Sequence, residues 1–216
     1  MMIGFTGYGA RRGFVHLLLA MFLAAPLPAF AKERLVVAFG DSLSAGYQLK
    51  PGEGFAPRLQ VALRTKGIQA RVHNAGVSGD TSAAGRARLV WVLNALKVKP
   101  DLVIVELGGN DMLRGIKPEA TRANLDAILT ELKRRGIKAI VAGMLATPNM
   151  GPAYSRAFNP IYPALAKKHG ATLYPFFMRG VAGNRALQLA DGIHPNARGV
   201  NVIVSGISPQ VVAALR

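Results

Sequence analysis

Short apolar runs alternate with amphipathic segments along the chain from about residue 34 to its end. Leu35–Phe39 and Leu102–Leu107 are nearly continuous apolar runs, which is typical of strands buried on both faces. Ala70–Ala75 is a weaker run, and 139–145 and 172–176 complete the set. These five runs predict five strands.

Between the runs, apolar residues recur at intervals of three and four, which is the spacing of one helix face. The segments that show this spacing are 55–66, 81–96, 118–135, 154–169 and 196–215. Because proline interrupts helical hydrogen bonding, we expect Pro160 and Pro163 to kink the fourth helix or delay its start, and Pro209 to weaken the last.

This alternation of strands and helices is typical of an α/β fold. Parallel strands joined by right-handed helical crossovers place helices on both faces of one sheet. The sequence therefore predicts a three-layer α/β/α sandwich around a parallel sheet of about five strands. Ligands bind such sheets beyond the carboxyl ends of the strands, so we expect catalytic residues just after strands.

The first 31 residues follow a different pattern. Arg11 and Arg12 precede an apolar run, Phe14–Phe30, that closes on small residues at Ala29 and Ala31. A charged start, a short apolar core and small residues at the end predict a signal peptide, residues 1–31, cleaved after Ala31. The uninterrupted core is about half the roughly 20 residues that a membrane anchor needs.

A signal peptide implies that the protein is periplasmic or secreted. The paired arginines also resemble a twin-arginine signal, and the general and twin-arginine routes both remain open. Residues 32–216 would then form one domain, which a chain of 216 residues can supply with a proper core. The absence of cysteine from the sequence excludes disulfides, thiolate zinc sites, a cysteine nucleophile and a lipid-modified N-terminus.

The chain is strongly basic, with 27 Lys and Arg against 11 Asp and Glu and a net charge of +16. Only two of the basic residues precede residue 32, so the expected mature chain keeps +14. The cations are scattered, mostly near predicted helix ends, and no known nucleic-acid-binding motif accompanies them. We therefore expect no nucleic-acid partner. A non-catalytic binder of anionic lipid surfaces stays open, as does charge that steers substrates.

Three histidines lie beyond the signal peptide. His73 falls inside a predicted strand, and His169 falls at a helix end, where it is more typical of a dipole partner. His194 follows Asp191 by three residues in a turn, so that Asp191 can accept the Nδ1 proton and leave Nε2 as a base. Structural turns produce the same pattern, so this pair alone does not establish catalysis.

Ser42 is the candidate nucleophile, because it follows the first predicted strand directly. Gly40 permits a tight turn there, although Asp41 or Ser42 could equally cap the next helix. After the strand at 102–107, two glycines precede Asn110, whose amide could face a developing oxyanion. Gly79, after the strand at 70–75, could offer a backbone N–H. A plain turn accounts for either glycine segment by itself.

Together these segments resemble the four motifs of the SGNH/GDSL hydrolases. In family order they are Gly40-Asp41-Ser42-Leu43, Ser78-Gly79-Asp80, Gly108-Gly109-Asn110-Asp111 and Asp191-Gly192-Ile193-His194-Pro195. The similarity extends over nearly all of the chain after residue 31. It implies a flavodoxin-like fold and a serine hydrolase that works without cofactor or metal.

The resemblance also implies a role for each residue. Ser42 would be the nucleophile, His194 the general base and Asp191 the group that orients it. The oxyanion hole would combine the N–H groups of Ser42 and Gly79 with the amide of Asn110. The expected partner is a small-molecule acyl ester or thioester, including aryl esters and lysophospholipids, with transient contact to anionic lipid. We expect a monomer.

The sequence departs from the family pattern in one loop, Ala146–Gly151. An aromatic residue that the family usually carries there is replaced by Met150, a softer apolar side chain. Acyl-chain preference is therefore open, and so is a carbohydrate O-acetyl esterase on the same fold. The expected substrate-binding residues are Asp111, Leu113, Arg114, Pro148, Asn149 and Met150.

Overall fold

The computed structural model describes residues 1–3 and 32–216, and Glu33–Arg216 form one compact unit. The expected signal-peptide run and its cleavage site at Ala31 lie outside the described residues. The strands are β1 Arg34–Gly40, β2 Ala70–Gly76, β3 Leu102–Glu106, β4 Lys138–Ala142 and β5 Thr172–Tyr174. All neighbours pair in parallel, in the order β2-β1-β3-β4-β5. The predicted five-stranded parallel sheet is confirmed.

Helices cover both faces of this sheet. They are α1 Ser42–Ala45, α2 Phe55–Thr65, α3 Ser82–Ala95, α4 Gly109–Leu113, α5 Pro118–Arg134, α6 Gly151–Phe158, α7 Ile161–His169 and α8 Ala197–Leu215. Helices α2 and α8 pack together on one face, and α3, α5 and α7 follow one another on the other. Strand β3 is buried along its whole length. The predicted α/β/α sandwich is confirmed.

Two predicted strands end early. Strand β4 stops at Ala142 and β5 at Tyr174, although the apolar runs continue to 145 and 176. The ladder is interrupted there because the Gly143 carbonyl accepts from the Phe177 N–H at 2.8 Å, one residue beyond the regular parallel partner. The Gly143 N–H still donates to the Tyr174 carbonyl at 2.8 Å, so residue 143 stays bonded to the end of β5.

Proline acts differently in the two helices where its effect was expected. The predicted helix at 154–169 is two helices, α6 and α7, separated at Asn159 and Pro160. Helix α8 instead continues through Pro209. Its apolar face, which includes Ile203 and Ile207, is buried in the core, and this packing outweighs the one lost hydrogen bond. Helix α8 is long and apolar enough to span a membrane, but half of it is buried in the protein.

The register brings three residues side by side at the carboxyl edge of the sheet. Gly40 at the end of β1 pairs with Gly76 of β2 and with Glu106 of β3. A Cβ on Gly40 would collide with Glu106 and Ser44, and one on Gly76 would collide with the backbone of Ala45. Both glycines are therefore needed for α1 to approach the sheet closely.

Candidate active site

Ser42 is the first residue of α1 and follows β1 after a single intervening residue. Asp41 caps this short helix, because its Oδ1 accepts from the Leu43 N–H at 3.0 Å. Gly46, with φ of 85°, ends the helix one turn later. The capping alternative raised for Asp41 is thus correct, and it leaves the Ser42 side chain free to point into the cleft.

His194 contacts Ser42 across 152 residues of sequence. Its Nε2 lies 2.8 Å from Ser42 Oγ, and its Nδ1 lies 2.7 Å from Asp191 Oδ2. With Nδ1–H donating to the carboxylate, Nε2 accepts the hydroxyl proton of Ser42. The structure therefore brings the three residues into one hydrogen-bonded chain.

Asp191 is fixed by the turn that carries it. Its Oδ1 accepts from the backbone N–H groups of Ile193 at 2.8 Å and His194 at 3.0 Å. Burial raises the pKa of Asp191, but these amides and the imidazole outweigh that effect and lower the pKa to about 2. The carboxylate consequently stays ionised at any pH where the protein would work.

The loop around His194 is braced by further hydrogen bonds. Gln188 donates from Nε2 to the Gly192 carbonyl at 2.7 Å, and the Leu189 N–H donates to the His194 carbonyl at 2.8 Å. Asn196 caps α8 directly after the loop. The imidazole is therefore carried by a short rigid segment that ends on a core helix.

Asn110 lies in α4, immediately beyond the end of β3. Its Nδ2 donates to Asp41 Oδ2 at 3.1 Å, which leaves the second amide hydrogen free to bind another acceptor. Burial raises the pKa of Asp41 to about 6, even though Leu43 and Asn110 donate to it. Asp41 thus both caps the Ser42 helix and orients the Asn110 amide.

Glu106 lies fully buried beneath this arrangement. Its Oε2 accepts from Ser44 Oγ at 2.7 Å and from the Asp41 N–H at 3.3 Å, and its Oε1 has no hydrogen-bond partner among the described residues. Burial first, and then the nearby Asp41 charge, raise the pKa of Glu106 well above its usual range. Burial and the Asp41 charge therefore both favour the protonated form of this carboxyl group behind the Ser42 helix.

Gly79 follows β2 with φ of 87°, in the left-handed region that favours glycine. Its carbonyl accepts from Arg114 Nη2 at 2.8 Å. The next residue, Asp80, accepts a hydrogen bond from Arg88 Nε at 2.6 Å. Arg88 also donates to the Gly40 carbonyl at 3.0 Å. This loop is thereby tied to the end of β1.

Arg88 corrects the expectation that the cations are solvated residues near helix ends. It lies in the middle of α3, its side chain is 18% exposed, and its guanidinium stands 4.3 Å from the centroid of the Phe39 ring. Its partner Asp80 is 11% exposed. Arg88 therefore has a structural role between α3, the Gly79 loop and β1.

A cleft of about 270 Å³ opens at Ser42 and His194. The described residues that line it with them are mainly apolar and include Leu113, Met112, Met144, Leu145, Phe176 and Met178. Leu113 is thus the one expected substrate-binding residue among them. Arg114 lies at Gly79 instead, and Pro148, Asn149 and Met150 form a short 3-10 turn just beyond the lining residue Thr147.

Asp111 does not face the cleft, so the expectation that it binds substrate is wrong. The residue is 1% exposed. Its carboxylate accepts from the N–H and Oγ of Ser82 and from Thr121 Oγ1. It joins the start of α3 to α5, and such a role depends on tertiary neighbours that the motif does not reveal.

Three neighbours of the site were not singled out from sequence. Tyr47 places its ring 4.5 Å from that of His194, centroid to centroid. Glu106 interrupts an otherwise apolar buried strand, and that lone carboxylate was the available signal. Gln188 had no distinguishing pattern. Of the other histidines, His169 at the end of α7 bonds Asp126 at 2.6 Å, away from the cleft.

Comparison with known proteins gives a consistent result. The model of the GDSL-like Lipase/Acylhydrolase family matches residues 38–202. Esterase TesA from Pseudomonas aeruginosa is 44% identical over 167 residues, covering 77% of this chain and 81% of that protein. Thioesterase 1/protease 1/lysophospholipase L1 from Escherichia coli strain K12 is 39% identical over 183 residues, covering 85% and 83%.

Solved structures give the same result. The crystal structure of AlinE4, an SGNH-hydrolase family esterase, matches with a TM-score of 0.74 and 51% sequence identity. The match covers 87% of this chain and 100% of that one. The likeness therefore spans the whole sheet and both helical layers.

Proposed function

Because this chain belongs to the GDSL-like lipase/acylhydrolase family and is an ester hydrolase, we propose that Ser42, His194 and Asp191 are its catalytic triad. The observation that carries the proposal is the hydrogen-bonded chain from Ser42 Oγ to His194 at 2.8 Å and on to Asp191 at 2.7 Å. Both contacts fall within the range expected of a nucleophile, its base and the orienting carboxylate.

In this mechanism Ser42 Oγ attacks the acyl carbon while His194 Nε2 takes the hydroxyl proton. The ionised Asp191 stabilises the resulting imidazolium, which then donates its proton to the departing alcohol or thiol. Water deprotonated by His194 attacks the acyl-enzyme, and the carboxylic acid and free Ser42 are released. The proton taken from Ser42 thus goes to the leaving alcohol or thiol, and the proton taken from water returns to Ser42.

The oxyanion would be bound by the N–H of Ser42, the N–H of Gly79 and the amide of Asn110. Asp41 supports this role for Asn110, because it takes up one amide hydrogen and leaves the other for the oxyanion. Arg114 and the Asp80–Arg88 pair support the role of Gly79 by holding its loop on both sides. Donors held in advance of the reaction stabilise the transition state most effectively.

The substrates would be aryl esters, acyl thioesters and lysophospholipids with their acyl chain in the apolar cleft. The lining by methionines and leucines supports an alkyl chain there. The printed name of the Escherichia coli relative supports thioesters and lysophospholipids. All the residues of the proposed site come from one chain, so a monomer would suffice.

Export of the protein is part of the proposal, and it rests on the sequence of residues 1–31. Removal of that segment after Ala31 leaves the compact unit from Glu33 onward intact. N-terminal sequencing of protein recovered from the periplasm or medium tests it, and an N-terminus at Met1 would contradict cleavage.

Hydrolysis of p-nitrophenyl acyl esters tests the catalytic proposal. We expect turnover by the wild type and loss of it in Ser42→Ala and in His194→Ala, while the Lys167→Gln surface variant is unaffected. A series from acetyl to octanoyl esters identifies the acyl preference. Sole preference for acetyl would favour the carbohydrate O-acetyl esterase, and an inert wild type that still binds vesicles would favour a non-catalytic lipid binder.

A further inference from the structure

Helix α3 carries apolar residues on its solvent side as well as on its core side, with Arg86 and Asn94 as the exposed polar residues among them. Leu89, Val92 and Leu93 are buried, whereas the opposite side, hereafter the Trp91 face, is exposed. The Trp91 face consists of Ala83, Ala84, Ala87, Val90 and Trp91. Trp91 is 73% exposed, more than any other large apolar side chain between residues 32 and 216, and Val90 is 46% exposed. A helix that covers a sheet normally presents polar residues outward.

Cations lie along one side of the Trp91 face and beyond its C-terminal end. Arg86 on α3 and Lys97 and Lys99 just after it are exposed. Arg135, the residue after α5, donates to Asn94 Oδ1 at 2.7 Å. Lys99 donates to the Arg135 carbonyl at 3.5 Å. These contacts place a continuous basic border along one side and the end of the helix.

The acidic groups near this face are already neutralised. Helix α3 contains no acidic residue. Asp80, just before α3, is paired with Arg88, and Glu131 of α5 is paired with Arg134 and Arg135. The Trp91 face is therefore an apolar strip in a positive field, which is a combination that anionic lipid complements.

A second copy of the chain fits this surface poorly. The strip runs from Ala83 to Trp91, about 13 Å of helix, and one helix face offers far less than the roughly 800 Å² per partner of a stable interface. Residues 32–216 also carry 25 basic against 11 acidic residues, so two copies repel each other.

We propose that the Trp91 face binds the surface of an anionic phospholipid bilayer. Trp91 and Val90 enter the headgroup region, where tryptophan is favoured, and the bordering cations contact lipid phosphates. The Trp91 face and the cleft share no residue, so substitutions in the face leave the lining of the cleft unchanged. The proposal does not depend on the catalytic mechanism.

The single tryptophan of the sequence is itself the probe. The chain from Lys32 is suitable for the experiment, because the described core lies within the compact unit that begins at Glu33 and the apolar run 14–30 would itself enter lipid. Vesicles of phosphatidylcholine alone, or with about one third phosphatidylglycerol, are titrated while tryptophan emission is recorded. We expect a blue shift, and quenching by brominated lipid, with the anionic vesicles only.

Variants locate the contact by vesicle sedimentation. Trp91→Ser with Val90→Asn should weaken binding about tenfold or more, as expected for the loss of large apolar groups, and Lys97→Gln with Lys99→Gln should weaken it most at low salt. Val61→Asn, at an exposed valine of α2, is the matched control and should bind normally. Hydrolysis of a soluble ester should be unchanged in all of them.

Three results would overturn the proposal. Sedimentation with anionic vesicles without any change in Trp91 emission would mean that another surface binds lipid. A concentration-dependent dimer that Trp91→Ser abolishes would make the face a self-association surface. Emission already blue-shifted without vesicles in the chain from Met1, but not in the chain from Lys32, would assign the face to the N-terminal segment.

Discussion

The ring of Tyr47 lies against the imidazole of His194, with the centroids 4.5 Å apart and the planes inclined by 38°. An aromatic face stabilises an adjacent cation by about 0.5–1 kcal/mol at exposed sites, and the proposed mechanism places a positive charge on His194 in both transition states. Tyr47 is itself 39% exposed, so this contact lies at the edge of the site.

Replacing Tyr47 should therefore slow catalysis without abolishing it. We expect Tyr47→Leu to lower kcat by about two- to fivefold, the equivalent of one exposed cation–π contact, and Tyr47→Phe to retain wild-type kcat. Steady-state kinetics on a p-nitrophenyl ester measure both. Equal losses in Leu and Phe variants would assign the effect to the hydroxyl, which accepts from Gln48.

Asn110→Ala should lower kcat by about two to three orders of magnitude, as for the loss of one oxyanion donor worth about 2.7–4 kcal/mol. The fold should change little, because within the described part of the chain the Asn110 amide bonds one side chain, that of Asp41. Unchanged kcat in this variant would remove Asn110 from the proposed mechanism.

Asp41→Asn should lower kcat about tenfold, the size expected for the loss of one hydrogen bond to a charged acceptor. An amide at this position keeps one acceptor for Leu43 N–H but turns its own NH₂ toward Asn110. In the Asn110→Ala background the same substitution should have almost no further effect on kcat. Equal losses in both backgrounds would instead show that Asp41 acts through the helix cap alone.

Glu106 should make the protein less stable as pH rises. An unfolded glutamate titrates near 4.3, whereas burial raises the pKa of Glu106 well above its usual range, so the folded state keeps a proton that the unfolded state has lost. The resulting stability is complete below about pH 4 and is lost as pH rises toward the folded pKa, by at most about 1.4 kcal/mol per pH unit.

Glu106→Gln should remove the share of this dependence that belongs to Glu106 while preserving the acceptor for Ser44; Asp41, whose pKa burial raises to about 6, keeps its own share. Urea unfolding at several pH values between 5 and 8 measures it, and the variant should lose less stability across that range than the wild type. Asp126→Asn is the opposite case, because hydrogen bonds from Lys168 and His169 lower the pKa of Asp126. The loss of unfolding free energy caused by Asp126→Asn should be constant above pH 5 and should disappear in acid. Equal losses of stability in the variant and the wild type across this range would contradict the role of Glu106.

Arg88→Met should destabilise the protein by about 3 kcal/mol, the low end of the range for breaking a buried ion pair. The guanidinium is lost while the apolar stem is kept, and Asp80 is left 11% exposed without its cation. Adding Asp80→Asn should restore part of the stability in a double-mutant cycle. The neighbouring exposed Arg86→Met should change the free energy of unfolding by less than about 0.5 kcal/mol.

The main elements of the fold could be predicted because each is long enough to show its period. Strands β1 and β3 are continuous apolar runs, and α2 shows four apolar residues on one face. Helices α1 and α4, of four and five residues, were missed because neither is long enough to repeat a pattern. The sequence predicts a kink or a late start where the structure has a break between α6 and α7, since the effect of Pro160 depends on what packs around it.

For the site, sequence motifs were enough to find the residues that the fold brings together, but not those that support them. Ser42, His194 and Asp191 belong to recognisable segments, and the sheet places those segments at one edge. The burial of Asp111 against Ser82, the pairing of Arg88 with Asp80 and the raised pKa of Glu106 all arise from contacts between distant parts of the chain. Local sequence carries no record of such contacts.

Gly40 and Gly76 let the Ser42 helix approach the main chain of β1 and β2 directly, with Glu106 as a side chain beneath it. Side chains that line the cleft can therefore change, in evolution or by design, without moving the backbone that carries the Ser42 hydroxyl. Acyl preference and attack geometry are separately variable in this protein: the first depends on replaceable methionines and leucines, the second on two positions where even a methyl group is excluded.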